Sequence, residues 1–359
     1  MTAAAFPDAE TLRARVQKVL DEFLARQDES LAAVSPDLAS LMAAVTDLLR
    51  GGKRLRSAFC YWGWRGAGSD DDADDDPIVR IAGALEMFQA AALLHDDVMD
   101  GSDTRRGRPT AHRRLAELHR EHGWEGSPDA FGVAGAILAG DLCLSWSDEM
   151  FTGAGLPASQ LARGRGTFDR MRTELMAGQY LDMFEQVQPA TTMARARHVI
   201  RYKSAQYTVE QPLVLGGSLA GAPAELLARY SEFGLALGEA FQLRDDVLGV
   251  FGDPIETGKP AGDDLREGKR TTLVAAALDR AGERDEATVR RLLGRPDLDE
   301  SGVAELRQVI VGTGALDHVE QLITARLGEA LAALEATPVT PAAAVALREL
   351  AVAATARAA

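Results

Sequence analysis

Asp96-Asp97-Val98-Met99-Asp100 closes an Ala- and Leu-rich run that starts near Ala90. On a helix, Asp96 and Asp100 lie one turn apart on one face. Carboxylates stacked this way repel each other by roughly a few tenths of a kcal/mol even in water. A cation between them removes that cost. Donors that are all oxygen select a hard cation, Mg²⁺ foremost. Mg²⁺ keeps several waters and shares its shell with substrate phosphates, so few protein ligands are needed. A second cluster, Gln242-Leu243-Arg244-Asp245-Asp246, also follows an apolar run. Arg105 and Arg106 come after the first pair, and Lys259, Lys269 and Arg270 after the second. A solvated helix end would account for either cluster alone. Acids that collect metal, twice followed by cations that grip phosphate, describe a site for a metal-bridged polyanion, with diphosphate the natural guest.

The elements that must carry these residues read as helices. Leu12, Val16, Leu20, Phe23 and Leu24 recur every three or four residues, with Asp8 as a cap. A second helix runs from about Pro36 to Leu49 and stops at Gly51-Gly52. The Lys53-Arg54-Leu55-Arg56 that follows suits a phosphate, or is a basic first turn after a glycine cap. Phe59 to Trp64 reads as buried helix. Residues 66–77, with the aspartate runs 70–72 and 74–76, read as an acidic surface loop. Ile78 to His95 is a long apolar helix with Glu86, Gln89 and His95 as its polar members. His95 is open to two readings, a general base or a hydrogen-bonded helper. Further helices cover Phe131–Phe151, Leu161–Val187, Thr192–Leu219 and Ala224–Phe251. Gln179 and Asp182 fall near one face of theirs. Lys203, in an apolar stretch, needs a partner that a bound anion would supply. Residues 252–270 are Gly-rich and charged, which suits a lid over a polar site. No strand alternation stands out, so an all-α fold is expected.

Composition sets the outer limits. The chain has 359 residues, 46% of them apolar and 26% charged, with a net charge of −15. That balance fits a globular chain with a large core and argues against nucleic-acid binding. Two cysteines, Cys60 and Cys143, form no CxxC or His/Cys cluster, so neither a disulfide framework nor a zinc site is expected and a reducing compartment fits. No basic, apolar leader opens the sequence. No uncharged run of about 18 residues suggests a membrane span. The expected setting is cytoplasmic, with no integral membrane segment.

These motifs, in this order, resemble the trans-isoprenyl diphosphate synthases, the polyprenyl synthetase family. The resemblance runs from about Gly51 to Thr271. It is carried by Gly51-Gly52-Lys53-Arg54-Leu55-Arg56, the Asp96–Asp100 box with Arg105-Arg106-Gly107, Gly178-Gln179-Tyr180-Leu181-Asp182, Lys203-Ser204, Gln242 with Asp245-Asp246, and Gly258-Lys259-Pro260 to Gly268-Lys269-Arg270. It implies a single all-α domain over 1–359, a helical bundle around a central cavity, commonly a homodimer. It implies Mg²⁺, three ions per site with substrate bound, with Asp96 and Asp100 as ligands of two and Asp245 of the third, and Asp97 and Asp246 beside them. Arg105, Lys203 and Lys259 are implied on the allylic diphosphate, with Gln242, Ser204 and Lys269 nearby. Lys53, Arg56, Gln89 and Arg106 are implied on isopentenyl diphosphate. The chain departs from the family pattern at Gly249, where the second box usually ends in Asp, at Gln89, where many relatives carry His, and at Ser204, where Thr is commoner.

The implied reaction breaks an allylic C–O bond, adds isopentenyl diphosphate to the cation and loses a proton. Product length is argued from the helix before Asp96. Ala92, Ala91 and Phe88 stand four, five and eight residues earlier, on or near the stripe below the metal. Two alanines leave that stripe open, and Phe88 lies about 12 Å along the axis, either as a floor or as ordinary core. Geranylgeranyl diphosphate (C20) is the expected product. The alternatives are a farnesyl or longer-chain synthase, a class I terpene cyclase, which needs no second diphosphate site, and a silent subunit of a heteromeric synthase.

Overall fold

The computed structural model describes residues 9–68, 75–188, 190–253, 262–295 and 297–356. Lys259, Asp8, residues 69–74 of the 66–77 acidic stretch and residues 254–261 of the 252–270 stretch lie outside them. The chain divides into two compact units, one of residues 1–61 and 69–161, the other of 62–68 and 162–359.

The first unit is built on α4 (Asp76–Met99). Its Ala, Leu, Ile and Met residues are buried on nearly every side. α6 (Pro128–Thr152) packs along it, with α1 (Ala9–Val34), α2 (Ala39–Leu49) and α5 (Ala111–Glu121) around the pair. α3 (Leu55–Gly66) begins in this unit. Pro128 at the first helical position and the Ser127 hydroxyl, which accepts from the Ala130 N–H, start α6. By length and composition α4 and α6 could each cross a bilayer, contrary to the expectation that no helix could. α4, however, carries Glu86 and three aspartates and is mostly buried against its neighbours. α4 also starts earlier than expected. Asp76 and Pro77 form its first turn rather than loop, with Asp75 just before it. Arg15 bridges the carboxylates of Asp75 and Asp76, and the Tyr61 hydroxyl donates to Asp75 at 2.7 Å. One small departure from all-α is a two-residue ribbon, β1 (Thr104–Arg105) against β2 (Arg108–Pro109).

The second unit is organised around α10 (Ala224–Phe251). α15 (Ala315–Glu335), α9 (Gln211–Ala220) and α16 (Pro341–Thr355) pack on it. Its other helices are α7 (Ala158–Gln186), α8 (Met193–Ile200), α11 (Asp263–Glu267), α12 (Thr272–Arg280), α13 (Glu283–Leu292) and α14 (Glu300–Gly312). Between α8 and α9 the helix widens into a π segment, Arg201–Glu210. Three glycines admit it. A β-carbon on Gly178 would come within 2.5 Å of the Lys203 backbone nitrogen. On Gly234 it would come within 2.5 Å of Glu210 Cα, and on Gly238 within 2.6 Å of Ala205 Cα. Long π segments are rare and cluster at functional sites. Here the segment carries Lys203 and Ser204. The core below includes Leu243, Val247, Val250, Leu273 and Ile310.

Candidate functional site

In the first unit, one of the uncovered sides of α4 is a strip that ends in the aspartate box; His95, Val98 and Met99, apart from it, are also uncovered. Gln89, Ala92, Leu93, Asp96 and Asp100 are half-buried, while Phe88, Ala91 and Leu94 are fully covered. The i, i+4 argument therefore places Asp96 and Asp100 on one accessible face, with Gln89 and Ala92 below them. Phe88 and Ala91 border that strip from within the core.

Asp97 points elsewhere. Its side chain is 4% exposed and receives the Arg105 Nε at 2.8 and 3.0 Å and Nη2 at 2.6 Å. Arg105 Nη2 also lies 3.5 Å from Asp96. Burial by itself would lower the Arg105 pKa, but the hydrogen bonds it donates to Asp97, with the charges of Asp97, Asp96 and Asp100, outweigh it and hold the guanidinium firmly charged. Asp97 thus anchors the cation rather than standing free beside Asp96. His95 faces away from the open strip, its Nε2 3.1 Å from the Ile137 carbonyl and 3.5 Å from Asp141. It packs where a side chain on Gly140 would stand. Of its two readings, this contact is the hydrogen-bonded helper.

The ribbon turn aims the next arginine. Arg106 (φ 51°) and Gly107 (φ 71°) are both left-handed, the backbone of a tight primed hairpin turn. Arg106 then lies over Gly52 (φ 100°), within 3.3 Å of where a β-carbon would be, and donates to the Leu48 carbonyl at 3.2 Å. Its pKa is lowered by burial and by neighbouring Arg105, Arg54 and Arg56. Cations held together in this way favour an anion among them. Lys53 is exposed and Arg56 half-buried at the same loop.

Arg54 is different, and its role was not foreseen from the sequence. It has φ 53° and is 6% exposed. It donates to Glu86 at 3.0 Å, to Gln17 at 2.7 Å and to the Leu49 carbonyl. Glu86 also accepts from Ser57 at 2.9 Å. The signal was present: Glu86 is the lone carboxylate in the apolar part of α4.

In the second unit, Asp245 is half-buried and Asp246 is 4% exposed. Gln242 Nε2 donates to Asp246 Oδ1 at 2.8 Å, so this amide is turned to the acid. Asp246 Oδ2 is buried with no hydrogen-bond partner among the described residues. Burial, with Asp264, Asp245 and Asp182 nearby, pushes its pKa up to about 8. Arg244, just before Asp245 in sequence, is turned to other partners: it donates to Glu320 at 2.6 and 2.7 Å and to the Thr355 carbonyl at 3.1 Å. Lys203 already has a protein partner: its Nζ donates to Asp182 at 2.5 Å. Lys269 meets Glu267 at 2.5 Å and Asp264 at 3.6 Å. Ser204 is buried in the π segment.

A divalent cation fits these residues. All the donors are carboxylate oxygens, and burial, with like charges around it, raises the Asp246 pKa, a cost that a cation removes. Among the described residues no three or more Asp, Glu, His or Cys side chains form a ready-made cage.

The protonation of Asp246 has a measurable consequence. The folded, metal-free chain holds this proton up to about pH 8, whereas an unfolded chain releases it near pH 4. Asp246 therefore subtracts stability from the metal-free fold as pH climbs through that window, by at most about 1.4 kcal/mol per pH unit. In the presence of a chelator, Asp246→Asn is expected to raise Tm, and to raise it more at pH 8 than at pH 5. A pH-independent difference would mean that Asp246 is ionised throughout.

The sequence pattern of the polyprenyl synthetase family matches residues 39–310. A solved geranylgeranyl pyrophosphate synthase from Corynebacterium glutamicum, complexed with isoprenyl diphosphate and magnesium, is 39% identical. The match covers 98% of this chain and all of that one, with a TM-score of 0.95. A geranylfarnesyl diphosphate synthase of Aeropyrum pernix is 32% identical over 80% of this chain and 84% of its own. Component 2 of the heptaprenyl diphosphate synthase of Geobacillus stearothermophilus is 30% identical over 95% and 97%. With the motif order, the all-α fold and the pattern match in agreement, the chain belongs to the polyprenyl synthetase family of prenyltransferases.

Proposed function

We propose that this chain condenses isopentenyl diphosphate with an allylic diphosphate, all-trans, to give geranylgeranyl diphosphate. The observation that carries this reading is within the first unit. A strip bearing Asp96 and Asp100 ends next to a turn whose Arg105 and Arg106 stand among further arginines. That is a metal-binding face beside a separate anion site, as a reaction with two diphosphates requires. A terpene cyclase needs no second anion site, and the Gly52–Arg106 arrangement disfavours it. The magnesium and isoprenyl diphosphate of the Corynebacterium glutamicum complex support the same ligands here.

In this reading residues 1–359 act as one catalytic domain. When bound, divalent cations, three Mg²⁺ per site, supply positive charge to the departing diphosphate. Arg105, held charged by Asp97, adds fixed positive charge for the same group, on which the family resemblance also implies Lys203, itself held in place by Asp182. Lys53, Arg56, Arg106 and Gln89 orient isopentenyl diphosphate. The departing diphosphate serves as the base for the final proton, so no side-chain base is needed. Residues 252–270 act as the lid that keeps water from the cation. A homodimer is supported by the exposed Phe131, Val133, Ile137 and Leu138 of α6. The buried free thiols of Cys60 and Cys143 suit a reducing, cytoplasmic setting.

The test is incubation with labelled isopentenyl diphosphate, each allylic primer in turn and Mg²⁺, with chromatography of the dephosphorylated prenols. A main C20 alcohol is expected. Cyclised hydrocarbon, or no product with any primer, would overturn the reading.

Product length gives a second test. Phe88 is 1% exposed and Ala91 fully covered, while Ala92 is half-open. Phe88→Ala is expected to move the main product to C25 or longer, as the floor recedes by about a ring's depth. An unchanged C20 product would assign Phe88 to the core alone.

A further inference from the structure

Gly249 lies one turn beyond Asp245 on α10. A β-carbon there would overlap the carboxylate of Asp264, whose Oδ2 is its nearest neighbour. Its backbone is ordinary helix, with no positive φ to demand glycine. The residue is small so that another side chain can enter. Asp264 arrives from the first turn of α11, which starts after Gly262 at φ 78°. Its side chain is 17% exposed, and Lys269 stands off at 3.6 Å while engaging Glu267 at 2.5 Å.

Asp264 stands close enough to Asp246 for the two charges to repel, and Asp246 is itself an unsatisfied acid. Asp246 is 4% exposed, and its Oδ2 has no hydrogen-bond partner among the described residues. A buried polar oxygen without a partner costs free energy, and a second carboxylate beside it adds to that cost. A cation shared between them reverses the sign of the interaction.

We propose that Asp264 helps hold the hydrated divalent cation of the second aspartate site. It supplies from α11 the carboxylate that α10 lacks one turn beyond Asp245. The identity of the cation rests on the prenyltransferase reading above. The acid therefore reaches the site from the helix that follows the 252–261 stretch, so metal binding and the placement of α11 depend on each other.

The test reads metal binding without turnover. Mn²⁺ is titrated in the presence of inorganic diphosphate, and free Mn²⁺ is followed by electron paramagnetic resonance. The proteins are the wild type, Asp264→Asn and the double variant Gly249→Asp/Asp264→Ala. Asp264→Asn is expected to weaken the tightest Mn²⁺ site by about 10- to 100-fold, while Tm in EDTA stays level or rises. The double variant has an acid at 249 and the space to house it, so it is expected to recover most of the affinity. Binding by Asp264→Asn within twofold of wild type would overturn the proposal. So would a double variant that binds no better than Asp264→Asn. A wild type that makes no prenyl diphosphate yet shows this pattern would sink the functional reading and leave the role of Asp264 standing.

Discussion

Asp96→Asn is expected to lower kcat for condensation by about a thousandfold, with little change in thermal stability. Asp96 is on the open strip of α4, its side chain 19% exposed, with Arg105 Nη2 at 3.5 Å. Replacing it removes little that holds the fold. It does remove charge that positions metal and diphosphate as the C–O bond breaks, and one such electrostatic contact is worth about 10² to 10³ in rate. The loss of metal affinity adds to that. Asp97→Ala should behave in the opposite way. It leaves the buried Arg105 guanidinium without its bidentate partner, and breaking a buried pair from one side costs about 3 to 5 kcal/mol. Denaturant midpoints and steady-state rates on the two variants separate the roles. Equal loss of stability in both, or a kcat for Asp96→Asn within tenfold of wild type, would remove Asp96 from the metal site.

The second large effect is expected at Glu86, which touches no substrate in this reading. Glu86→Ala should destabilise the protein by about 3 to 5 kcal/mol, because Arg54 is then left charged and buried. Arg54 also ties Gln17 of α1 and the Leu49 carbonyl to the start of α3. The loop it braces presents Lys53 and Arg56. KM for isopentenyl diphosphate should therefore rise in any variant still folded, with KM for the allylic primer less affected. The double variant Arg54→Met/Glu86→Leu should recover much of the stability, since apolar side chains of similar volume replace a buried ion pair at little cost. It should not recover the KM. Loss of less than about 1 kcal/mol in Glu86→Ala would show that the pair is solvated and does not brace the loop.

Local pattern was enough for part of this. Spacing by three and four marks the helices because a helix repeats every 3.6 residues regardless of what packs on it. The stacking of Asp96 on Asp100 is likewise a property of one helix. The order of acidic and basic motifs pointed to two diphosphates before any coordinates. Errors fell at boundaries and pairings. Asp76 reads as loop because Arg15, which holds it at the start of α4, is far away in sequence. The stretch from Thr192 to Leu219 reads as one helix, although Gly178, Gly234 and Gly238 admit a π segment within it.

The sequence by itself determined which residues carry charge and which share a helical face: Asp96 with Asp100, and Arg106 after a turn. Only the tertiary structure decided who faces whom. It turned Asp97 inward to Arg105, gave Lys203 the carboxylate of Asp182, buried Arg54 on Glu86 and brought Asp264 to the bare backbone of Gly249. Helical periodicity is set by hydrogen bonds four residues apart, so it is written locally. The partner of a buried charge is set by whichever distant surface packs against it, and no spacing along the chain records that.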